Sequence, residues 1–249
     1  GHLPVCSAIT FKISEVSAMI ISGLQKTTLL DYPGHVASTI FLGGCNFRCP
    51  FCHNGDLVNG PWEDPFDPED VLAFLKKRSG LLEGVCITGG EPTLQPDLEK
   101  LIHSIRSLGL SVKLDTNGYR PDVLKDLCRR GLIDYVAMDI KAGHGNYAAA
   151  AGLPGIDMGK IEESVSFLLS GSVACEFRTT VVKELHSESD FYDIGRWIQG
   201  CRAYYLQSYK DSEQVLVPGF SACSREELLH FMDIVRPFVE NVELRGVDY

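Results

Sequence analysis

The sequence predicts an α/β protein with a parallel sheet, and three observations lead to this fold class. Segments with strand-like and helix-like residue patterns alternate along the chain. Several helix-like segments end at a glycine, the residue that most readily adopts the left-handed conformation after a last helical turn. No low-complexity segment or long linker interrupts this alternation. A repeated βα pattern predicts parallel strands joined by helices.

The first predicted elements flank a loop that is rich in cysteine. The β-rich run VASTIFL (36–42) predicts a strand, and the cysteine loop follows it directly. EDVLAFLKKR (69–78) has helical spacing, and Asp67 and Pro68 before it suit a helix start. GVCIT (84–88) then predicts a buried strand.

The same alternation continues to the end of the chain. Predicted helices cover 96–109, 121–131, 160–171, 189–200 and 224–238. Predicted strands cover 110–115, 133–140, 173–182 and 203–209, with an additional strand at 239–246. About six βα units are fewer than the roughly eight of a closed barrel, so the pattern predicts a partial barrel or an open sheet.

Length and composition favour one domain and exclude some classes of partner. The 249 residues are 45% apolar and carry a formal net charge of −10, with a pI near 5.2. This acidic balance without a basic run argues against a general nucleic-acid or membrane-surface binder. No stretch approaches the roughly 20 apolar residues of a membrane helix, so we expect a cytoplasmic protein. Because the chain starts with Gly-His, we expect residues 1–18 to be an N-terminal extension or a cloning remnant, and 19–249 to be the domain.

Four polar or glycine-rich motifs follow consecutive predicted strands. They are CNFRCPFC (45–52), TGGEP (88–92), DTNG (115–118) and MDIK (138–141). Taken singly, TGGEP and DTNG are as well explained by turns, because Gly, Pro, Asn and Asp all favour turns. Because the carboxyl ends of parallel strands meet at one face of the sheet, the four motifs together predict one site.

The cysteine pattern narrows the chemistry of that site. Six of the nine cysteines are scattered, a pattern typical of reduced thiols: Cys6, Cys86, Cys128, Cys175, Cys201 and Cys223. The other three form C-x3-C-x2-C, one thiolate fewer than a closed [4Fe–4S] site uses. A structural zinc site has four ligands. The nearby candidate for a fourth ligand, His53, directly follows Cys52, so its side chain should point away from a site formed by the three cysteines. Zinc and inert thiols remain alternatives, but a cluster with one open iron explains both the spacing and the missing ligand.

C-x3-C-x-aromatic-C, with Phe51 as the aromatic residue, resembles the signature of the radical S-adenosylmethionine (SAM) enzymes. The resemblance implies a (β/α)6 partial barrel with parallel strands and a [4Fe–4S] cluster whose fourth iron is chelated by SAM. It also implies reductive cleavage of SAM to a 5′-deoxyadenosyl radical that abstracts hydrogen.

Longer motifs narrow the resemblance to one subfamily. LLDYPGHVASTIFLGGCNFRCPFCHN, TGGEPTLQ, LDTNG and MDIK resemble the glycyl-radical-enzyme activating enzymes, typified by the pyruvate formate-lyase activating enzyme. The segment GLQKTTLLDYPG is similar to the activating proteins of anaerobic ribonucleoside-triphosphate reductase. The resemblance runs from Gly23 to Gln207 and implies a glycyl radical enzyme as partner.

The resemblance also implies roles for individual residues. The cluster ligands would be Cys45, Cys49 and Cys52. Phe51 would border the adenine, with Asn54, Arg178 and Gln207 around the ribose and adenine. The methionine amino group would be received at Gly89, Gly90 and Glu91, partly through backbone carbonyls that need residues without a bulky Cβ.

A second group of residues is implied on the carboxylate side of SAM. Asp115, Thr116, Met138 and Asp139 match a monovalent cation site, so K⁺ or Na⁺ is expected there to offset the two carboxylates. Lys141 would add a positive charge.

Two departures from the subfamily pattern bear on function. A histidine expected near the sixth strand end is replaced by Gln207, while His186 and His230 are read as surface or helix residues. The ferredoxin-like insertion of some activating enzymes is absent, since residues 53–88 contain only Cys86. The chain should therefore hold one cluster and need an external one-electron donor such as flavodoxin or ferredoxin.

Three functions remain open at the sequence level. The first is an activase of a glycyl radical enzyme, either the anaerobic reductase or a formate-lyase type. The second is a radical SAM enzyme that acts on a small molecule, such as a deazapurine synthase. The third is an electron carrier or a zinc-stabilised scaffold. Trp62 either covers the core or contacts a partner, and Asp31 and Tyr32 form a turn or lie near the partner's loop.

Overall fold

The fold is seen in a computed structural model that describes residues 19–246. The predicted extension 1–18 and Cys6 lie outside the described residues. Eight strands lie in the described part of the chain: β1 Ile21–Thr28, β2 Ala37–Leu42, β3 Gly84–Gly89, β4 Ser111–Thr116, β5 Tyr135–Asp139, β6 Ala174–Val181, β7 Ala203–Ser208 and β8 Asn241–Arg245.

Helices connect the strands and cover the sheet. The α-helices of residues 19–246 are α1 Gly55–Asn59, α2 Pro68–Arg78, α3 Leu98–Ser107, α4 Pro121–Arg129, α5 Tyr147–Ala151, α6 Met158–Leu169, α7 Glu188–Trp197 and α8 Arg225–Val235. The predicted start of α2 is confirmed, because the Asp67 side chain accepts a hydrogen bond from the Glu69 amide at 2.7 Å and Pro68 is the first helical residue. Within residues 19–246, no helix is long and apolar enough to cross a membrane.

The strands form one sheet in chain order, from β1 at one edge to β8 at the other. Strands β2 to β8 are all parallel, and β1 pairs with β2 in the antiparallel sense. The predicted α/β class with a parallel sheet is therefore confirmed, including the additional strand at the carboxyl end. Strand β1 was not predicted, because its middle residues are exposed and its pairing depends on a neighbour that local patterns do not reveal.

The two faces of the sheet differ in chemistry. The helix-facing side is apolar: Val85 and Ile87 of β3 are fully buried, and so are Ile102 and Ile105 of α3. On the opposite face, side chains at alternating positions are polar or charged, and they are listed here: Cys86, Lys113, Asp115, Glu176 and Arg178. The face of the sheet opposite the helices thus carries charged side chains, several of which line the site at the carboxyl ends of the strands.

Candidate active site

A cavity of about 280 Å³ opens at the carboxyl ends of the parallel strands. All four predicted motifs contribute to it, which confirms that they form one site. The predicted residues that line it are Cys45, Cys49, Phe51, Cys52, Asn54, Gly89, Gly90, Asp115, Thr116, Asp139, Lys141, Arg178 and Gln207.

The three clustered cysteines lie on a loop that is tied to distant segments. The Arg48 amide donates a hydrogen bond at 3.0 Å to the carbonyl of Ala151, the last residue of α5. The Cys52 carbonyl accepts a hydrogen bond from the Leu216 amide at 3.2 Å. Within the loop, the Arg48 guanidinium donates to the Cys45 carbonyl at 2.5 Å. Backbone hydrogen bonds to segments that are distant in the sequence therefore help to fix the conformation of the loop.

The donor set of this loop fits an iron–sulfur cluster. Burial raises the pKa of Cys45 to about 12, with a further contribution from the charge of Glu91, and burial raises the pKa of Cys49 to about 11. Such thiols keep their protons until a metal replaces them, because thiolates are the metal-binding form. The cavity's remaining thiol, Cys86, instead lies against Asp115, at 3.6 Å from the Oδ1 atom.

Gly89 and Gly90 line the cavity because the end of β3 lies directly against the loop that leads to the cysteines. A Cβ at Gly90 would lie 2.0 Å from the Gly44 carbonyl oxygen, and one at Gly89 would lie 2.3 Å from backbone atoms of Leu42. The Gly90 amide also donates to the Leu42 carbonyl at 2.8 Å. Glycine is therefore needed at both positions because the backbone of Leu42 and Gly44 lies too close for a side chain. This reason adds to the one implied by the resemblance, in which backbone carbonyls receive the amino group of SAM.

Glu91 and Met138 do not line the cavity. The Glu91 side chain is fully buried and accepts hydrogen bonds from the hydroxyls of Thr93 and Thr116, at 2.6 and 2.8 Å, and from the Asn117 amide at 2.7 Å. The Glu91 carboxylate thereby joins the TGGEP turn to the DTNG turn, and a contact of Glu91 with the methionine amino group stays a prediction. Met138 is fully buried against Gly118 on the other face of β5.

Asp115, Asp139, Lys141 and Arg178 line the cavity and, together with the buried Lys113 that pairs with Asp115, make up what we call the charged floor. The Arg178 guanidinium contacts Asp115 Oδ2 and Asp139 Oδ1, both at 2.9 Å. Lys113 Nζ binds Asp115 Oδ1, and Lys141 Nζ binds Asp139 Oδ2 at 3.0 Å. The two aspartates converge as expected, but on Arg178. Arg178, which the resemblance placed around the ribose and adenine, lines the cavity and bridges the two aspartates.

These contacts change the ionisation of the floor residues. Burial alone raises the pKa of Asp139, but the charges of Arg178 and Lys141 outweigh burial and hold it well below its usual value. The pKa of Asp115 is lowered in the same way by Arg178 and Lys113 against the opposing effect of burial. Both carboxylates are consequently ionised at neutral pH.

Three histidines were interpreted from the sequence. His53 lines the cavity and is exposed to solvent, and the expectation that its side chain points away from a cysteine metal site stays a prediction. His186 is buried, with its Nε2 atom 2.8 Å from the Lys141 carbonyl oxygen and its ring against Phe51, so its interpretation as a surface residue is wrong. His230 is exposed on α8, as expected.

A second cavity of about 410 Å³ adjoins the first and shares His53, Thr180 and Gln207 with it. Its other walls include the basic side chains of Lys210 and Arg245. The two cavities together extend from the cysteine loop towards the β7 and β8 edge of the sheet.

Several lining residues were not predicted from the sequence. Thr88 and Asn117 lie inside quoted motifs, and Thr180 follows Arg178 by two positions on the same face of β6. Period-two alternation was the signal that would have found Thr180. Lys113 does not line the cavity but lies two residues before Asp115 on the same face of β4, and the sequence alone does not show that it is buried.

The sequence left two choices open, at Trp62 and at the Asp31–Tyr32 turn. The Trp62 indole donates to the Leu57 carbonyl at 3.2 Å and packs beside Gly43, which agrees with a covering role. Asp31 lines the cavity and accepts a hydrogen bond from Thr39 at 2.6 Å. The preceding Leu29 and Leu30 are strongly exposed.

Comparison with known families agrees with this geometry. The family model of the radical SAM superfamily matches residues 39–190, which include the cysteine loop and the charged floor. The chain belongs to the radical SAM superfamily. It is accordingly an enzyme of a class that uses a [4Fe–4S] cluster and SAM, and the resemblance to the activating subfamily is confirmed by its relatives.

Two relatives and one solved structure illustrate the similarity. MJ1227 of Methanocaldococcus jannaschii, named as a glycyl-radical enzyme activating enzyme, is 30% identical over 92% of this chain and 97% of its own. The pyruvate formate-lyase-activating enzyme of Clostridium pasteurianum is 31% identical over 49% of this chain and 52% of its own. SuiB of Streptococcus suis bound to SAM shares the fold, with a TM-score of 0.65 and 14% identity over 82% of this chain and 48% of its own.

Proposed function

We propose that this protein is an activating enzyme that removes a hydrogen atom from a backbone glycine of a glycyl radical enzyme. The partner that we propose is an anaerobic ribonucleoside-triphosphate reductase. The observation that carries the proposal is the single cavity in which three cysteine thiols face the charged strand ends. Similarity to MJ1227 over nearly the whole chain supports the activase class.

The cavity offers a distinct group for each part of the cofactors. Cys45, Cys49 and Cys52 would hold three irons, which leaves the fourth iron for the amino and carboxylate groups of SAM. Gly89 and Gly90 line the wall beside the cysteine loop, where backbone groups would receive the amino group. When bound, the reduced cluster would supply the electron that cleaves SAM.

The floor and far wall would hold the rest of SAM. Lys141 lines the cavity and would face the SAM carboxylate with its ammonium group. Phe51, Asn54 and Gln207 line the same cavity and would surround the adenosine. A K⁺ or Na⁺ ion at Asp115 and Asp139 is not part of this proposal, because the oxygens of both carboxylates already have side-chain partners.

A peptide substrate suits the adjoining second cavity. This cavity meets the first at His53, Thr180 and Gln207, and all of its lining residues except Gly246 have polar or charged side chains. A glycine in a flexible loop has no side chain to obstruct hydrogen transfer and adopts turns that other residues do not. The loop must leave the core of the partner to reach this cavity, so we expect modest affinity and local opening of the partner.

The remaining parts of the proposal concern the setting of the reaction. The electron would come from an external one-electron donor such as flavodoxin or ferredoxin, since this cavity contains one three-cysteine loop. We propose a cytoplasmic protein, because a reducing compartment keeps its scattered thiols and cluster ligands reduced. The acidic net charge of −10 supports neither nucleic acid nor membrane as partner.

The test combines reconstituted protein, SAM and a chemical reductant with candidate partners in the absence of oxygen. We expect electron paramagnetic resonance to show a glycyl radical doublet with the anaerobic reductase, and 5′-deoxyadenosine to form with it. The Cys49→Ala variant should give neither product, whereas Cys128→Ala, a substitution far from the loop, should give both.

The outcomes separate the candidate functions. A glycyl radical on a formate-lyase-type enzyme, with none on the reductase, would replace the proposed partner. Robust SAM cleavage without a radical on any glycyl radical enzyme would contradict the activase and favour a small-molecule substrate of the deazapurine synthase type. Absence of iron and sulfide in anaerobically purified protein would contradict both.

A further inference from the structure

The charged floor of the cavity uses every carboxylate oxygen of its two aspartates. Asp115 Oδ1 binds Lys113 Nζ, and Asp115 Oδ2 binds the Arg178 guanidinium at 2.9 Å. Asp139 Oδ1 binds Arg178 at 2.9 Å, and Asp139 Oδ2 binds Lys141 Nζ at 3.0 Å. Each oxygen is therefore paired with a cation that belongs to the chain.

The contacts of Asp115 with Lys113 and Arg178 are shielded from solvent. The Lys113 side chain is 2% exposed, and the side chains of Asp115 and Arg178 are 12% and 13% exposed. A charge at this depth is stable only with a close partner, so Lys113 and Asp115 depend on one another. Lys113, Arg178 and Lys141 thus neutralise these two carboxylates from within the chain, next to the proposed position of the SAM carboxylate.

The same geometry does not fit the monovalent cation that the subfamily resemblance implies. Besides the two aspartates, the expected ligands were Thr116 and Met138. The Thr116 hydroxyl donates to Glu91 at 2.8 Å and accepts from the Gly118 amide at 3.1 Å. Met138 is fully buried against Gly118. None of the four side chains directs an unused ligand atom to a common point.

We propose that Lys113 and Arg178 provide, within the chain, the positive charge that a K⁺ or Na⁺ ion would otherwise supply at this site. Lys113 is a positioning residue: its ammonium neutralises Asp115 and leaves Arg178 to bridge the two aspartates beneath the proposed SAM carboxylate. SAM binding by this protein is then independent of monovalent cations. This inference rests on the proposed function only in placing SAM in this cavity.

The experiment measures SAM affinity by calorimetry on the anaerobically reconstituted protein. The titration is repeated in potassium chloride, sodium chloride and tetramethylammonium chloride at equal ionic strength, because tetramethylammonium is too large for a carboxylate-lined site. The wild type should bind SAM equally in all three salts. Lys113→Met keeps an unbranched side chain one atom shorter and removes the charge, so it should weaken binding at least about tenfold in tetramethylammonium.

The decisive readout is a gain of cation dependence. Potassium or sodium should restore SAM affinity to Lys113→Met by occupying the freed Asp115 oxygen, and a merely structural role would not produce such rescue. The matched control is Lys125→Met, which removes the ion pair of Lys125 with Glu163 outside the cavity and should behave as wild type in each salt.

Two results would overturn the inference. One is a wild-type affinity that rises several-fold with potassium or sodium, and this measurement decides even where Lys113→Met fails to fold. The other is a well-folded Lys113→Met variant with wild-type affinity in every salt. A wild-type protein that retains its cluster but binds no SAM in any salt would instead contradict the proposed function, and this inference with it.

Discussion

Replacement of Gly152 by alanine tests whether α5 determines the conformation of the cysteine loop. Gly152 ends α5 in the left-handed conformation, with φ of 59°. An added Cβ would lie 1.9 Å from the Arg48 carbonyl oxygen and 3.1 Å from the Cys49 amide nitrogen. Because the ordinary contact distance is about 3.5 Å, the loop would have to move by more than about 1 Å.

The expected magnitude follows from two contributions. Alanine in the left-handed conformation costs about 1–2 kcal/mol. Displacement of the loop also breaks the hydrogen bond from the Arg48 amide to the Ala151 carbonyl, which contributes about 1 kcal/mol. We therefore expect Gly152→Ala to lower the free energy of unfolding by about 2–3 kcal/mol. Because Cys49 moves with Arg48, the iron and sulfide content after reconstitution should fall well below that of the wild type.

Gly155→Ala is the matched control. Gly155 also has a positive φ, of 74°, but an added Cβ would meet nothing within 4 Å. It should show the conformational cost of about 1–2 kcal/mol in urea denaturation of the metal-free protein while retaining full iron content. If Gly152→Ala assembles as much cluster as Gly155→Ala and unfolds at the same urea concentration, the loop does not depend on α5 and the reasoning is wrong.

Three further predictions address individual residues. Cys49→Ala, like replacement of either other loop cysteine, should abolish cluster assembly and SAM cleavage, whereas Cys128→Ala should spare both. Iron and sulfide analysis measures cluster assembly, and an equal loss of iron from Cys128→Ala would contradict the three-thiolate site. Asp139 has a lowered pKa, so its ionised form stabilises the fold at neutral pH, and this contribution is lost as the pH falls below its usual value of 3.8. Asp139→Asn should therefore destabilise the metal-free protein by about 1–3 kcal/mol at pH 7, with a difference that shrinks below about pH 3.8; a constant difference would exclude the ion pairs as its cause. Glu91→Gln replaces one of two buried acceptor oxygens by an NH2 donor that faces other donors, so it should lower the free energy of unfolding by about 1–3 kcal/mol in urea denaturation. Glu99→Gln, at an exposed position, should change stability much less.

The sequence was sufficient to locate the site because strand order and polarity are local properties. Each motif follows a strand whose apolar pattern is visible in isolation, and parallel strands bring their carboxyl ends to one face. Thus Cys45, Gly90, Asp115 and Asp139 were placed together although 94 positions separate the first from the last. No knowledge of side-chain contacts was needed for that prediction.

The roles of charged residues were less predictable, because they depend on partners from distant strands. Asp115 and Arg178 are 63 positions apart, and nothing near either residue indicates that they form a pair. Glu91 was read as a cavity residue, yet its nearest donors come from its own turn and from Thr116 and Asn117. A motif therefore shows which residues lie close together. It does not show which of their side chains form hydrogen bonds or ion pairs with each other and which face the cavity.

Burial explains why acidic side chains that were expected to contact a ligand instead bind other groups of the protein. A carboxylate that faces neither water nor a ligand must find donors within the protein, and a parallel sheet supplies them from the adjacent strand ends. Glu91 found two hydroxyls and two amides, while Asp115 found Lys113 and Arg178. The floor of the cavity is therefore stabilised before any cofactor binds. The positive charge next to Asp115 comes from Lys113, a buried residue of the chain itself. In the site that we propose, this ammonium group takes the place of a K⁺ or Na⁺ ion bound from solution.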